Sequence, residues 1–565
     1  MNLRSNFPVG NPRWATRRTQ WKLLGVNDED LKKPKIAIVN SSSKLAPCFS
    51  HLDTIAHAVK ESIEEAGGVG FEIRTVAPTD FVMTAGGAGG YVLSSRDLLA
   101  NDIEVAVEGA QLDGMVCLAS CDKTTPGQLM AAGRLNIPSM VISCGYQSCG
   151  ALDNGDQVDI EDVFLKAGHV ASGGVTVEDL CMMSDRAITS PGVCTGMGTA
   201  NSMHVVAESL GMALPGSTPT QANRSSMWAT VKKSGKTIIN AVLHNRLPRE
   251  IMTSQAFKNA VKTVLAISGS INCVKHLQAI ARETGVNTDI YELFEDAAET
   301  IRPLTAVRPN GTTTIEEFEA AGGAQAIHKQ LEPVLNTSVK TCDGKTLKEH
   351  LSDFTVKNEE IIRPMTRPMG SEPTVVIVRG SLAPDSAIVK LSVNEKRELT
   401  FTGPANVHSD ADSAVLAIQS GEVRPGEVLV LRGLGPVGTP GMGMASNVVF
   451  ALHGAGLTKN VAVVTDGQLS GLVNQGIVVG EVSPEGVAKG PLGIVQNGDI
   501  IEIDVRDGRV DLLITSEETL RRQAIRRQSI SEGESGWLSI YKRSVEPLHK
   551  GATLASTETT ITYAE

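Results

Sequence analysis

Residues 36–68, IAIVNSSSKLAPCFSHLDTIAHAVKESIEEAGG, decide how the chain folds. Ile36–Val39 is a short unbroken apolar run, which predicts a strand buried on both faces. Asn40 to Cys48 is polar and reads as a loop. From about Ser50, the residues Leu52, Ile55, Ala56, Val59 and Ile63 recur at helical spacing. Ser50 followed by Asp53 predicts a start like a capping box, and Gly67-Gly68 predicts the stop. Met115–Ala119 repeats the theme: an apolar strand, a loop with Cys121, and a helix from about Pro126, where proline suits a first turn. Strands alternating with helices predict an α/β unit with a parallel sheet.

Further along the texture changes. Val375–Val378, Ala387–Val389, Val428–Leu431, Val461–Val464 and Ile500–Val505 are short β-rich runs separated by Gly, Pro and Asp. They predict a mostly-β, barrel-like second unit. The expected organisation is an α/β domain over 1–365 and a barrel-like domain over 366–565, joined near Arg363–Pro368. No internal repeat is visible.

The chain has 565 residues, a formal charge of −11 and a pI near 5.6. At ~100–200 residues per domain, this length holds about three to five domain-sized units, or fewer large ones. A hydrophobic content of 41% excludes a disordered chain. The acidic balance argues against a nucleic-acid or anionic-membrane partner. No apolar stretch approaches the ~20 residues that span a bilayer. The N-terminal stretch carries Arg4, Arg13, Arg17 and Arg18 but lacks the apolar core of a secretory signal. A cytoplasmic protein is expected. Arg521-Arg522 and Arg526-Arg527 read as a solvated helix face.

Nine cysteines are far too few for a disulfide scaffold. Cys48, Cys121 and Cys194 share one setting, a polar or glycine-rich loop just before a predicted helix. A helix N-terminus stabilises negative charge, so these read as candidate thiolates, suited to zinc, iron–sulfur or redox work. Their long, equal separations match no local cluster pattern, and buried turn cysteines remain the other reading. Asp122-Lys123 next to Cys121 reads either as part of a cation site or as a surface pair capping the helix. His276 reads as a satisfied helix histidine. Gly433–Gly438 has the spacing G-x-G-x-x-G after a strand, as in dinucleotide binding, but Pro436 and Pro440 argue against a helix opening there.

Two long motifs, Cys121–Gly127 (CDKTTPG) and Gly192–Met203 (GVCTGMGTANSM), closely resemble the dihydroxy-acid dehydratase and sugar-acid dehydratase family. The resemblance runs nearly end to end. It takes in Pro47-Cys48, Ser268–Asn272 with His276, Thr465–Gly471 (TDGQLSG) and Val482–Glu485 (VSPE). It implies an iron–sulfur cluster, usually [2Fe-2S], held by Cys48, Cys121 and Cys194. It also implies a Mg2+ beside the cluster, held by Asp80, Asp122, a carbamylated Lys123 and a glutamate from the second half. Ser470 matches the family's base. A small hydroxy-acid substrate and a homodimer or homotetramer are implied as well.

The match breaks at three places. Met444 stands where the family's glutamate ligand falls, Glu481 replaces a histidine, and Gln468 replaces an arginine. A thioether is a poor Mg2+ ligand, and Glu481 is the candidate to restore the lost carboxylate. The expected function is a hydro-lyase that dehydrates a 2,3-dihydroxy acid to a 2-oxo acid, with a sugar acid preferred because the pocket departs from the standard one. The alternatives are the dehydratase of branched-chain amino-acid biosynthesis, taking 2,3-dihydroxyisovalerate to 2-oxoisovalerate, and a non-catalytic homologue.

Overall fold

The computed structural model describes residues 3–170, 173–393, 398–471, 476–525 and 535–554. Its first half is built on a parallel sheet of Lys35–Asn40 (β1), Val69–Arg74 (β2), Gly114–Ala119 (β3) and Ser139–Ser143 (β4), in the order β2-β1-β3-β4. β1 and β3 are buried along their whole length, as their unbroken apolar runs require. Leu52–Glu65 (α1) is the crossover from β1 to β2, and Thr124–Leu135 (α2) the crossover from β3 to β4.

The start of α1 differs from expectation. His51 is the N-cap and makes no side-chain capping bond, while Ser50 donates its hydroxyl to the Pro47 carbonyl instead. That bond ties down the loop bearing Cys48. The apolar stripe of α1 packs on Ser225–Leu243 (α3). A side chain at Gly235 would meet the Ser62 carbonyl at 1.9 Å, so only glycine permits this approach.

The second half is an eight-stranded sheet of Val375–Val378 (β5), Ser386–Lys390 (β6), Thr400–His408 (β7), Val428–Leu431 (β8), Ala462–Thr465 (β9), Val478–Ser483 (β10), Ile500–Asp504 (β11) and Arg509–Leu512 (β12). The order is β12-β11-β7-β8-β9-β10-β6-β5, with β7 to β10 parallel and the flanking strands antiparallel. Arg379 closes the circuit. Its N–H donates to the Gly508 carbonyl at 2.8 Å and its carbonyl accepts from Val510 N–H at 2.8 Å, joining the two end strands. The result is a barrel-like sheet with little free edge. Strand alternation serves two cores: Val428 and Val430 pack inside the barrel, while Leu429 and Leu431 join the core shared with the first half.

Arg522, on Ser516–Ile525 (α4), is not solvated. It is 9% exposed and ion-paired with Asp499 and Glu518. Arg526 and Arg527 lie outside the described residues. Truncating Arg522 to alanine strips Asp499 of its partner and is expected to cost about 1–3 kcal/mol, read from the urea midpoint. Arg521→Ala, at a solvated position, is expected to leave that midpoint in place. No described helix is long and apolar enough to cross a membrane.

Candidate active site

The ends of β1 and β3 release two loops onto one side of the sheet. Cys48 precedes α1 and Cys121 precedes α2, and the third loop, with Cys194, precedes Thr199–Ser209 (α5). All three cysteines are free thiols. Cys121 shares a hydrogen bond with Cys48, and that bond together with burial pushes its thiol well above the ordinary range. Burial, reinforced by the Asp122 charge, does the same to Cys194. At Cys121 and Cys194, burial and neighbouring groups act against the lowering expected of a helix N-terminus. The loop is fixed from behind, where Ser120 Oγ donates to the Cys48 carbonyl and His204 bonds the Ser120 carbonyl at 3.0 Å.

Asp80 and Asp122 stand beside the thiols. One oxygen of each and the Cys121 sulfur lie within 4.8 Å of one another, close enough to share a metal ion. Lys123 Nζ donates to Asp80 at 3.0 Å and lies 3.8 Å from Asp122. Burial pulls the Lys123 ammonium down, but the two carboxylates outweigh it and hold it above its usual value, so Lys123 acts as their counter-ion. The surface-pair reading of Asp122-Lys123 is excluded, since the Lys123 side chain has no exposure. Burial and the Asp122 charge raise Asp80 to about 8, and its Oδ1 is buried without a hydrogen-bond partner.

Asp80, Cys121, Asp122 and Cys194 line one side of a cavity of about 380 Å3, and the second half of the chain supplies the other. Ser470 lines it, next to Gly471, where a side chain would meet Ser270 Oγ at 2.6 Å and Thr199 N at 2.9 Å. Ser470 N–H donates to Ser446 Oγ at 2.7 Å. Met444 also lines the cavity, and its sulfur accepts from Ser446 Oγ at 3.3 Å.

Glu481 does not restore a carboxylate to this cavity. An irregularity in the β10–β6 pairing between Gly480 and Ser483 puts Glu481 at φ +58° and pairs it with Lys275, both fully buried. Lys275 lies on Asn272–Thr284 (α6), and burial lowers it to about 8 despite Glu481. Sequence reasoning passed over it. Lys275 also donates to Asn272 Oδ1, and Asn272 Nδ2 donates to Thr199 Oγ1 at 2.9 Å and the Leu469 carbonyl at 3.1 Å. This chain of bonds ends one residue from Ser470. Lys275→Met would leave Glu481 buried and unpaired, at an expected cost of about 3–5 kcal/mol. Chemical denaturation checks this, and Lys275→Met combined with Glu481→Leu is expected to recover much of the loss.

Asp466 accepts from Gly433, Leu434 and Gly486 N–H, and Glu485 accepts from Val437 and Gly438 N–H. The glycine-rich loop therefore wraps two carboxylates of its own chain and not a dinucleotide phosphate. No helix opens at it, since the next one, Ser446–Gly454 (α7), starts eight residues after Gly438. His276 is buried, held neutral by burial, and bonded through Nδ1 to Arg96 at 3.3 Å, but its buried Nε2 has no hydrogen-bond partner, so the expected satisfied histidine is only half satisfied. Gln468 is fully buried with neither amide atom bonded.

A family model described as dihydroxy-acid/6-phosphogluconate dehydratase N-terminal matches residues 33–350, and its C-terminal counterpart matches 360–552. A dihydroxy-acid dehydratase from Methanococcoides burtonii is 38% identical over 551 residues, 97% of this chain and 99% of that protein. Dihydroxy-acid dehydratases from Methanothrix thermoacetophila and Caldicellulosiruptor saccharolyticus are each 37% identical. They cover 98% and 96% of this chain, and 100% and 98% of their own lengths.

Proposed function

Because the chain belongs to the dihydroxy-acid/6-phosphogluconate dehydratase family of hydro-lyases, we propose that it removes water from a 2,3-dihydroxy carboxylic acid to give a 2-oxo acid. The observation that carries this reading is the convergence of Cys121, Cys194, Asp80, Asp122 and Ser470 on one cavity, with Cys48 hydrogen-bonded to Cys121. The relatives' names favour the branched-chain type of substrate over the sugar acid expected from the departures at Met444 and Gln468.

The donor set fits the groups the family implies. Three uncrosslinked thiols suit an iron–sulfur cluster. The unpartnered Asp80 Oδ1 and the adjacent Asp122 suit a hard cation such as Mg2+. When bound, these groups supply Lewis acidity toward the departing C3 hydroxide and the charge developing at the carboxylate and C2 oxygen.

The chain's own residues do the rest. Ser470 takes the C2 proton. The C3–O bond breaks with its electron pair, hydroxide leaves, and the resulting enol gains a proton at C3 to become the 2-oxo acid. Serine is a base only as its alkoxide, so this role needs the positive charge that the opposite side of the cavity is built to hold. Lys123 offsets the two carboxylates. Asn272 and Ser446 fix the Leu469–Ser470 peptide, at its carbonyl and its N–H.

The test is anaerobic purification with iron, acid-labile sulfide and visible spectra, followed by a 2-oxo acid assay on 2,3-dihydroxyisovalerate. About two irons and two sulfides per chain are expected, with turnover. A colourless protein that resists reconstitution would overturn the reading and leave a non-catalytic homologue.

A further inference from the structure

Three phenylalanines from three separate segments form one wall of the cavity. Phe81 directly follows Asp80, and its ring stacks on Phe164 of Ile160–Ala167 with centroids 4.6 Å apart at 28°. Phe164 in turn meets Phe450 of α7, from the second half, at 6.4 Å. Each ring is only half-buried. Packing on one another therefore leaves aromatic surface facing the cavity, and Leu434 and Met444 extend the apolar lining.

Several hydroxyls beside this wall are engaged within the protein, while the exposed Ser409, Asp410, Asp412 and Asn447 also line the cavity. Thr84 donates to the Phe81 carbonyl at 2.9 Å, Thr439 to the Gly433 carbonyl at 3.0 Å, and Ser446 to the Met444 sulfur at 3.3 Å. Thr199 Oγ1 is engaged by Ser270 and Asn272. A sugar acid whose hydroxyl chain lay against the rings would leave those hydroxyls unpaired, which is unfavourable for each one.

We propose that this wall is the specificity pocket for the C3 substituent, and that the preferred substrate is a 2,3-dihydroxy acid bearing a flat, bulky apolar group at C3, of the aryl class. The inference rests on the dehydratase reading above. Because Phe81 adjoins Asp80, a substrate whose carboxylate and hydroxyls meet the carboxylate side of the cavity places its C3 substituent against the rings. Offset or edge-on contact with Phe164 and Phe450 then favours a ring over a methyl group.

The experiment compares three acids on iron-loaded protein: 2,3-dihydroxy-3-phenylpropanoate, 2,3-dihydroxyisovalerate and gluconate. It also compares binding of the products 2-oxo-3-phenylpropanoate and 2-oxoisovalerate by calorimetry. The phenyl acid is expected to exceed dihydroxyisovalerate in kcat/KM by about tenfold or more, and its product to bind more tightly. Phe164→Leu and Phe450→Leu, made separately, are expected to bring both ratios toward one while iron content stays unchanged. A preference for dihydroxyisovalerate or gluconate, or ratios unmoved in both leucine variants, would overturn the aryl pocket and leave the dehydratase reading standing. No turnover of any acid by iron-loaded protein would overturn the dehydratase reading, and the aryl substrate would fall with it.

Discussion

Cys121→Ser is expected to yield a folded protein with no visible chromophore, iron and sulfide near zero, and turnover lower by at least about a thousandfold. Cys121 stands at the meeting point of the site: it hydrogen-bonds Cys48, and its sulfur shares the 4.8 Å cluster with Asp80 and Asp122. A serine oxygen is harder than sulfur and far less acidic, so it neither matches iron–sulfur chemistry nor ionises in this buried setting. The fold should survive, because Cys121 lies in the loop between β3 and α2, outside both elements. The control is Cys117→Ser. Cys117 is fully buried within β3, and burial pushes its thiol far up, as suits an inert core residue. That variant should lose stability and keep its iron. Iron retained in Cys121→Ser, or lost only in Cys117→Ser, would contradict the assignment.

Ser470→Ala is expected to lower kcat by about 10²–10⁴-fold while iron content and KM stay close to those of the parent. The peptide leading into it is held at both its atoms, by Asn272 at the Leu469 carbonyl and by Ser446 at the Ser470 N–H, so losing the hydroxyl should not move that peptide. The loss should therefore fall on proton removal. With substrate deuterated at C2, the isotope effect on kcat should grow in the variant, because C–H cleavage becomes more fully rate-limiting. A variant that keeps parental kcat would mean that another group takes the proton.

The first half of the fold was readable from apolar runs alone. Ile36–Val39 and Met115–Ala119 are unbroken because β1 and β3 are covered on both faces, and that burial leaves its mark in any sequence that satisfies it. Thr400–His408 left no such mark. It contains Gly403 and Pro404 and alternates between exposed and covered positions, and its pairing with β8 and β11 defines it as a strand. The capping box predicted at Ser50 failed because the Pro47 carbonyl took the serine hydroxyl.

By itself, the sequence determined the candidates: the family resemblance names Cys48, Cys121, Cys194, Asp80, Asp122, Lys123 and Ser470, and the structure brings Asp80, Cys121, Asp122, Cys194 and Ser470 to one cavity. Only the tertiary structure decided what those groups face. Glu481 is a free carboxylate on paper, yet a local irregularity in β10 turns it to Lys275, a residue far away in sequence. Phe81, Phe164 and Phe450 carry no motif and become a wall only when α7 closes against Ile160–Ala167. Charge pairing and aromatic packing act through space over a few ångströms, so neither their partners nor the sign of a thiol's shift is written in the order of residues along the chain.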